Sequence, residues 1–266
     1  MTSLILLILS LVPLLDLASP GLPITHDGQD HVARIASFYQ SLSEGNIIPR
    51  WAGNLNWGYG HPILMFLYPL PSYAASLFHF IGFSFVDSTK LVFAVAYIAS
   101  ILAMYLWARD QWGKPAGFVA SLLYGFAPYR FVDLYVRGAI GEHVAFIFPP
   151  LILWSLYNKR TVIGAISVAG LMFSHNAVSL MFAPVIVLYI LYLNRSYLQS
   201  LVTVALGSLL SAFFWMPVLY EGKYTLRDIV TNEDFTSRFV QFSQLLYTPW
   251  NYGIGNELSK ERFSRY

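Results

Sequence analysis

Cysteine is absent from the 266-residue chain, which excludes disulfides, thiolate metal sites and cysteine nucleophiles. Charge is scarce. Asp, Glu, Lys and Arg make up 11% of the residues, against about a quarter in an average soluble domain. Formal net charge is only +2 and no basic stripe is visible, so no nucleic-acid partner is expected. The chain has no Gly-rich phosphate loop, G-x-S-x-G elbow or H-E-x-x-H helix. Met1 to Leu17 is apolar but lacks the basic residues that precede a cleaved signal core, so it reads as a retained membrane anchor, with a cleaved signal as the rival.

What the chain has in quantity is apolar residues, 56% of the total. They form runs approaching the roughly 20 residues that cross a hydrocarbon core. Leu91 to Trp107, Val178 to Leu193 and Leu198 to Pro217 show almost none of the polar striping of a soluble bundle. The expected fold is therefore all-α, a polytopic membrane bundle of about seven spans. These are 2–18, 88–108, 116–134, 140–157, 161–177, and a hairpin of two over 178–217 that turns at Asn194-Arg195-Ser196. Pro62, Pro69 and Pro71 disfavour a straight crossing by 62–82, which reads as a helix lying in or dipping into the outer leaflet, with a full crossing as the rival. The expected domains are a membrane unit, 1–217, with a first outer loop over 19–87, and an outer tail, 218–266, that looks cut short.

Short basic turns carry Arg109 and Lys114, Lys159 and Arg160, then Arg195. The positive-inside rule puts them in the cytoplasm. Trp107, Trp112 and Trp154 then fall at the inner interface, and Trp51, Trp57, Trp215 and Trp250 at the outer one.

The polar residues gather at span ends. After the first span comes His26-Asp27-Gly28-Gln29-Asp30-His31-Val32-Ala33-Arg34-Ile35, followed by apolar residues at helical spacing to Glu44-Gly45. This is a short amphipathic helix at the membrane surface. Asp27 is expected either to cap the helix or to stand as a rigid base or metal ligand. A second cluster joins the third and fourth spans and holds Arg130, Asp133, Arg137, Glu142 and His143. Charges there are functional candidates unless they only snorkel or pair at the interface. His175-Asn176 breaks a third apolar stretch, on the same predicted side.

The spacing His26-Asp27-x-x-x-His31-x-x-Arg34-Ile35 resembles the first outer-loop motif of a bacterial and archaeal membrane family. That family carries the misleading label "6-pyruvoyl-tetrahydropterin synthase-related, membrane", and is similar in layout to the GT-C glycosyltransferases that use polyprenyl-phosphate sugars. The resemblance continues through Gly45-Asn46-Ile47-Ile48-Pro49-Arg50-Trp51, Gly58-Tyr59-Gly60-His61-Pro62 and Pro128-Tyr129-Arg130. It extends to Arg137-Gly138-Ala139-Ile140-Gly141-Glu142 and Ser174-His175-Asn176, and so covers about residues 20–180. It implies a multi-span transferase whose first outer loop supplies the acidic residue, here Asp27, with Asp30 ranked second.

On that resemblance the expected activity is transfer of a sugar from a polyprenyl-phosphate donor to a glycan, lipid or protein acceptor. The setting is the cytoplasmic membrane, with the active face extracytoplasmic. A lipid-phosphate leaving group departs charged and needs no proton, so one carboxylate base suffices. Asp27 and Glu142 are the catalytic candidates. Arg137 and then Arg130 would meet phosphate charge, with His31, Arg34, His143 and His175 as further substrate-binding candidates. A divalent cation, Mg or Mn, held by Asp27 and Glu142 is the cofactor expectation. The rivals are a transporter or lipid flippase, which would carry charges near the bilayer midplane, and a non-catalytic membrane scaffold.

Overall fold

The computed structural model describes residues 2–194 and 196–225; Arg195, Trp250 and the 226–266 part of the expected tail lie outside the described residues. All regular elements among the described residues are helical, and the only strand-like pairing is one isolated antiparallel bridge between Ala52 and His61. The chain divides into a compact unit of Met1–Val218 and a second unit of Leu219–Tyr266.

In order, the helices are α1 (Thr2–Leu11), α2 (Gly28–Ser43), α3 (Ile63–Phe66), α4 (Leu70–Phe80), α5 (Phe85–Trp112), α6 (Lys114–Gly125) and α7 (Pro128–Val132). After a π-helical turn over Asp133–Arg137 come α8 (Ile140–Ala145), α9 (Phe148–Tyr157), α10 (Thr161–Ser174), α11 (Asn176–Leu193), α12 (Tyr197–Leu210) and α13 (Ala212–Glu221).

Among the described residues, three stretches are long and apolar enough to cross a membrane: α5, the 18-residue run Ile140–Tyr157 formed by α8 and α9, and α11. A fourth arises if α12 and α13, bent by 65°, count as one broken span. The α11 surface is lipid-like, with Leu180 77% and Met181 76% exposed. A contiguous apolar face of that kind is costly in water and ordinary in hydrocarbon.

Sequence chemistry sets the boundaries. Ser84 starts α5: its Oγ accepts from the Asp87 N–H at 3.0 Å and donates to the Asp87 carboxylate at 2.6 Å. Gly113, at φ 91°, ends the helix, and Pro115 opens α6. Against the expected span 116–134, α6 stops at Gly125. Pro128 forces Ala127 out of helical geometry (ψ 132°), and a short α7 restarts beyond it. Residues 62–82 are likewise divided into α3 and α4, because Pro69 follows the extended Leu67-Tyr68 step. Where a span over 161–177 is expected stands an apolar helix of 14 residues, shorter than a crossing needs, ended where His175 turns extended.

Helix α5 forms the axis of the main core. Its Val92, Phe93, Ala96, Tyr97 and Ile101 pack with Leu6, Ile35, Leu134, Ile140 and Val144. A second core joins Ile152 and Leu156 to Val168, Leu171, Ile186 and Ile190. Helices α10 and α12 approach closely: a Cβ on Gly207 would lie 2.6 Å from the Ala165 carbonyl oxygen. Small residues at such crossings let backbones meet where lipid offers no hydrophobic drive.

Candidate functional site

The site begins with a loop docked on a turn. After α1 a 3-10 turn, Val12–Ala18, leads into the first loop, which Lys90 of α5 fastens by donating to the carbonyls of Ser19 (2.9 Å) and Gly21 (3.2 Å). The loop then pairs with the π-helical turn: the His26 N–H donates to Val136 O and the Asp27 N–H to Arg137 O, each at 2.9 Å. Gly138 makes this fit possible. It sits at φ 65°, which L side chains adopt at a cost, and a Cβ there would lie 2.3 Å from Thr25 Oγ1.

Asp27 occupies the N-cap position of α2, yet its carboxylate makes no capping hydrogen bond. Thr25 Oγ1 does that work, accepting from the Gly28 N–H at 3.1 Å. The capping expectation for Asp27 is therefore corrected: the neighbouring threonine has taken the cap. No hydrogen bond or ion pair engages the half-buried Asp27 carboxylate among the described residues. One turn on, buried His31 is held neutral, its imidazole lowered to about 4 by burial and then by Arg34. Arg34 pairs at 3.4 Å with the outward-facing Asp30.

The turn presents a clamped cation. Arg137 Nη1 donates to Glu142 Oε2 at 2.6 Å and to the Tyr129 hydroxyl, while that hydroxyl donates to Glu142 Oε1 at 2.5 Å. Both oxygens of Glu142 are thus engaged. A bidentate-like clamp of this kind fixes where a guanidinium points.

Tyr68, between α3 and α4, joins the two halves. It feels the charges of Arg34, Asp27 and Glu142, and burial pushes its phenol up to about 12. A Cβ on Gly141 would strike its ring at 2.0 Å, so only glycine lets the turn lie this close. The His175 ring stacks on Tyr68 with centroids 5.1 Å apart. His175 also starts α11: its Nδ1 accepts from the Val178 N–H at 3.2 Å, which requires a bare Nδ1 and puts the proton of the neutral ring on Nε2. Asp27, His31, Arg34, Tyr68, Arg137, Glu142 and His175 therefore share one neighbourhood, drawn from four separated segments.

Arg130 and His143 lie elsewhere. Arg130 is 2% exposed, stacked over Phe146 and Tyr97 and bonded to Ser100 Oγ at 2.9 Å. His143 is fully buried with Nδ1 3.1 Å from Asp133 Oδ2. Both are buried in the bundle behind Asp133, whose other oxygen, Oδ1, lies 3.8 Å from Arg137 Nη1. Sequence reasoning missed Tyr68, which carries no charge or spacing that would single it out, and gave no role to Tyr129, which it met only as part of Pro128-Tyr129-Arg130.

Among the described residues no three His, Asp or Glu side chains are grouped to hold a metal ion. Glu142, one of the two expected ligands, already spends its oxygens on Arg137 and Tyr129.

No known protein family's profile matches the chain. The chain is similar to an uncharacterized protein of Lactococcus lactis subsp. cremoris (strain MG1363), 28% identical over 239 residues that cover 80% of this chain and 39% of that protein. The chain thus spans about two fifths of that relative's length. No solved structure matches.

Proposed function

We propose that the chain is an integral membrane glycosyltransferase moving a sugar from a polyprenyl-phosphate donor to an acceptor on the extracytoplasmic side of the cell membrane. A GT-C-like bundle of about seven passes, in which the shorter α1, α6 and α10 also lie within the bilayer, belongs to the same proposal. One observation carries it: an unpartnered, half-buried carboxylate, Asp27, is bonded through its backbone to the residue whose guanidinium is clamped by Glu142 and Tyr129.

In this reading Asp27 takes the proton of the acceptor hydroxyl as its oxygen attacks the anomeric carbon. The bond from that carbon to the phosphate oxygen breaks, and its electron pair leaves with the lipid phosphate. Arg137 meets the developing charge, and Glu142, catalytic by the sequence reading, acts through Arg137 as a positioning residue. His175 Nε2–H, over Tyr68, is a further donor toward the sugar. No step runs through a metal, because the donor set described above does not suit one.

The test is transfer by the full chain in proteoliposomes supplied with a polyprenyl-phosphate sugar. Asp27→Asn should lower the rate by about 100-fold or more with expression unchanged. Undiminished transfer removes Asp27 from the role. A transporter or flippase is the second reading, favoured by the 65° break between α12 and α13; it predicts lipid or solute movement without any covalent product.

A further inference from the structure

On another face of α2 the chain builds a concavity, about 500 Å³ in volume, within the ~300–1,000 Å³ range of small-molecule sites. Its two walls differ in chemistry. One is aromatic: His79 and Phe85 stack at 3.7 Å between centroids and 18° between planes, and Tyr39 meets the His79 ring edge-on at 4.6 Å. His79 is fixed by a 2.7 Å bond from Nδ1 to Phe83 O.

The other wall is a chain of neutral amides. Gln40 Nε2 donates to Glu44 Oε1 at 3.0 Å, and Asn54 Nδ2 donates to Gln40 Oε1. That sequence orients both amides, leaving Asn54 Oδ1 as an acceptor and the second Gln40 N–H as a donor. Ser37 and Ser43 add hydroxyls. No Asp, Glu, Lys or Arg lines the space.

We propose that this groove binds a neutral oligosaccharide. A pyranose ring has the same two-sided character, a C–H face that lies on aromatic rings and a rim of hydroxyls that pair with fixed amides. The uncharged lining disfavours phosphates and acidic sugars, which would be desolvated without a counter-charge. The amide wall disfavours a lipid tail for the converse reason. The groove starts at Ala33, six residues beyond Asp27, or about 9 Å along the α2 axis. Where the chain is a glycosyltransferase, the groove holds the glycan of the acceptor; that identity rests on the preceding proposal, whereas sugar binding does not.

Saturation-transfer NMR on the full chain in nanodiscs tests it, with maltotriose, cellotriose, mannotriose and chitotriose as probes and adenosine and a short fatty acid as competitors. At least one trisaccharide should receive saturation. Tyr39→Ala and Gln40→Ala should weaken that binding by about tenfold, and Tyr39→Phe, which keeps the ring, should retain it. Silence from every trisaccharide, binding unaltered by Tyr39→Ala, or displacement by adenosine or the fatty acid overturns the groove. Asp27→Asn should leave the signal intact while abolishing transfer. Sugar binding without any transfer would refute the enzyme and spare the groove; transfer without sugar binding would do the reverse.

Discussion

Replacing Gly138 by alanine should detach the first loop from the turn that carries Arg137. The added Cβ would lie 2.3 Å from Thr25 Oγ1 and 3.2 Å from the Gly28 nitrogen, and no rotation relieves a Cβ. Holding alanine at φ 65° costs ~1–2 kcal/mol. The two backbone bonds to Val136 O and Arg137 O hold the docked state in both variants and so cancel from the difference between them. The strain alone weighs ~1–2 kcal/mol against the docked state and the clash adds to it, and every ~1.4 kcal/mol is tenfold in an opening equilibrium. Hydrogen exchange at the His26 and Asp27 amides, read by mass spectrometry on the chain in nanodiscs, should therefore accelerate by about tenfold or more. Gly45→Ala supplies the control. It shares the left-handed geometry at φ 93° but has nothing within 4 Å of the new Cβ, so exchange at 26 and 27 should be unchanged. If Gly138→Ala leaves those two amides as protected as before, the docking that builds the site is wrong.

Acidification offers another test. His31 is lowered from 6.5 to about 4, so between those values the unfolded chain binds a proton that the folded chain refuses. Stability should fall as pH drops from 6.5 to 4 and level off below, by about 3 kcal/mol from this residue. His31→Gln should flatten that part of the denaturation curve; an unaltered slope rejects the buried neutral imidazole. Removing either partner of the Arg137–Glu142 pair should lower the melting temperature. The double variant Arg137→Gln/Glu142→Gln should fall short of the additive sum by about 1 kcal/mol, and strict additivity would deny the coupling. The chain's lack of cysteine makes sidedness directly readable. A thiol at exposed Gln29 should react with an impermeant maleimide from outside intact cells, and one at exposed Lys159 only after permeabilisation; the reverse pattern inverts the orientation.

The helical character of the chain could be read from its apolar runs, because α5, Ile140–Tyr157 and α11 are predominantly apolar over the needed length. The failure at 116–134 was also written in the sequence, but as a single residue. Hydropathy averages over a window, whereas Pro128 acts on one peptide unit and ends α6 at Gly125. Asp27, Arg34, Arg137, Glu142 and His175 could be nominated as ionisable residues at the edges of apolar segments. Their meeting could not be foreseen, since it depends on backbone bonds from His26 and Asp27 that any residue type could make. Tyr68 escaped for the opposite reason. It is one of 18 tyrosines, and only its place beside Gly141 and His175 distinguishes it.

The docking of the Asp27 loop on Arg137 joins residues about 110 positions apart in a chain made at ~5–20 residues per second. The carboxylate therefore emerges from the ribosome several seconds before the guanidinium that faces it. During that interval the loop has no partner, and every helix up to α7 must be threaded before it finds one. The neighbourhood of Asp27 is thus assembled late, only after the turn that carries Arg137 has been made.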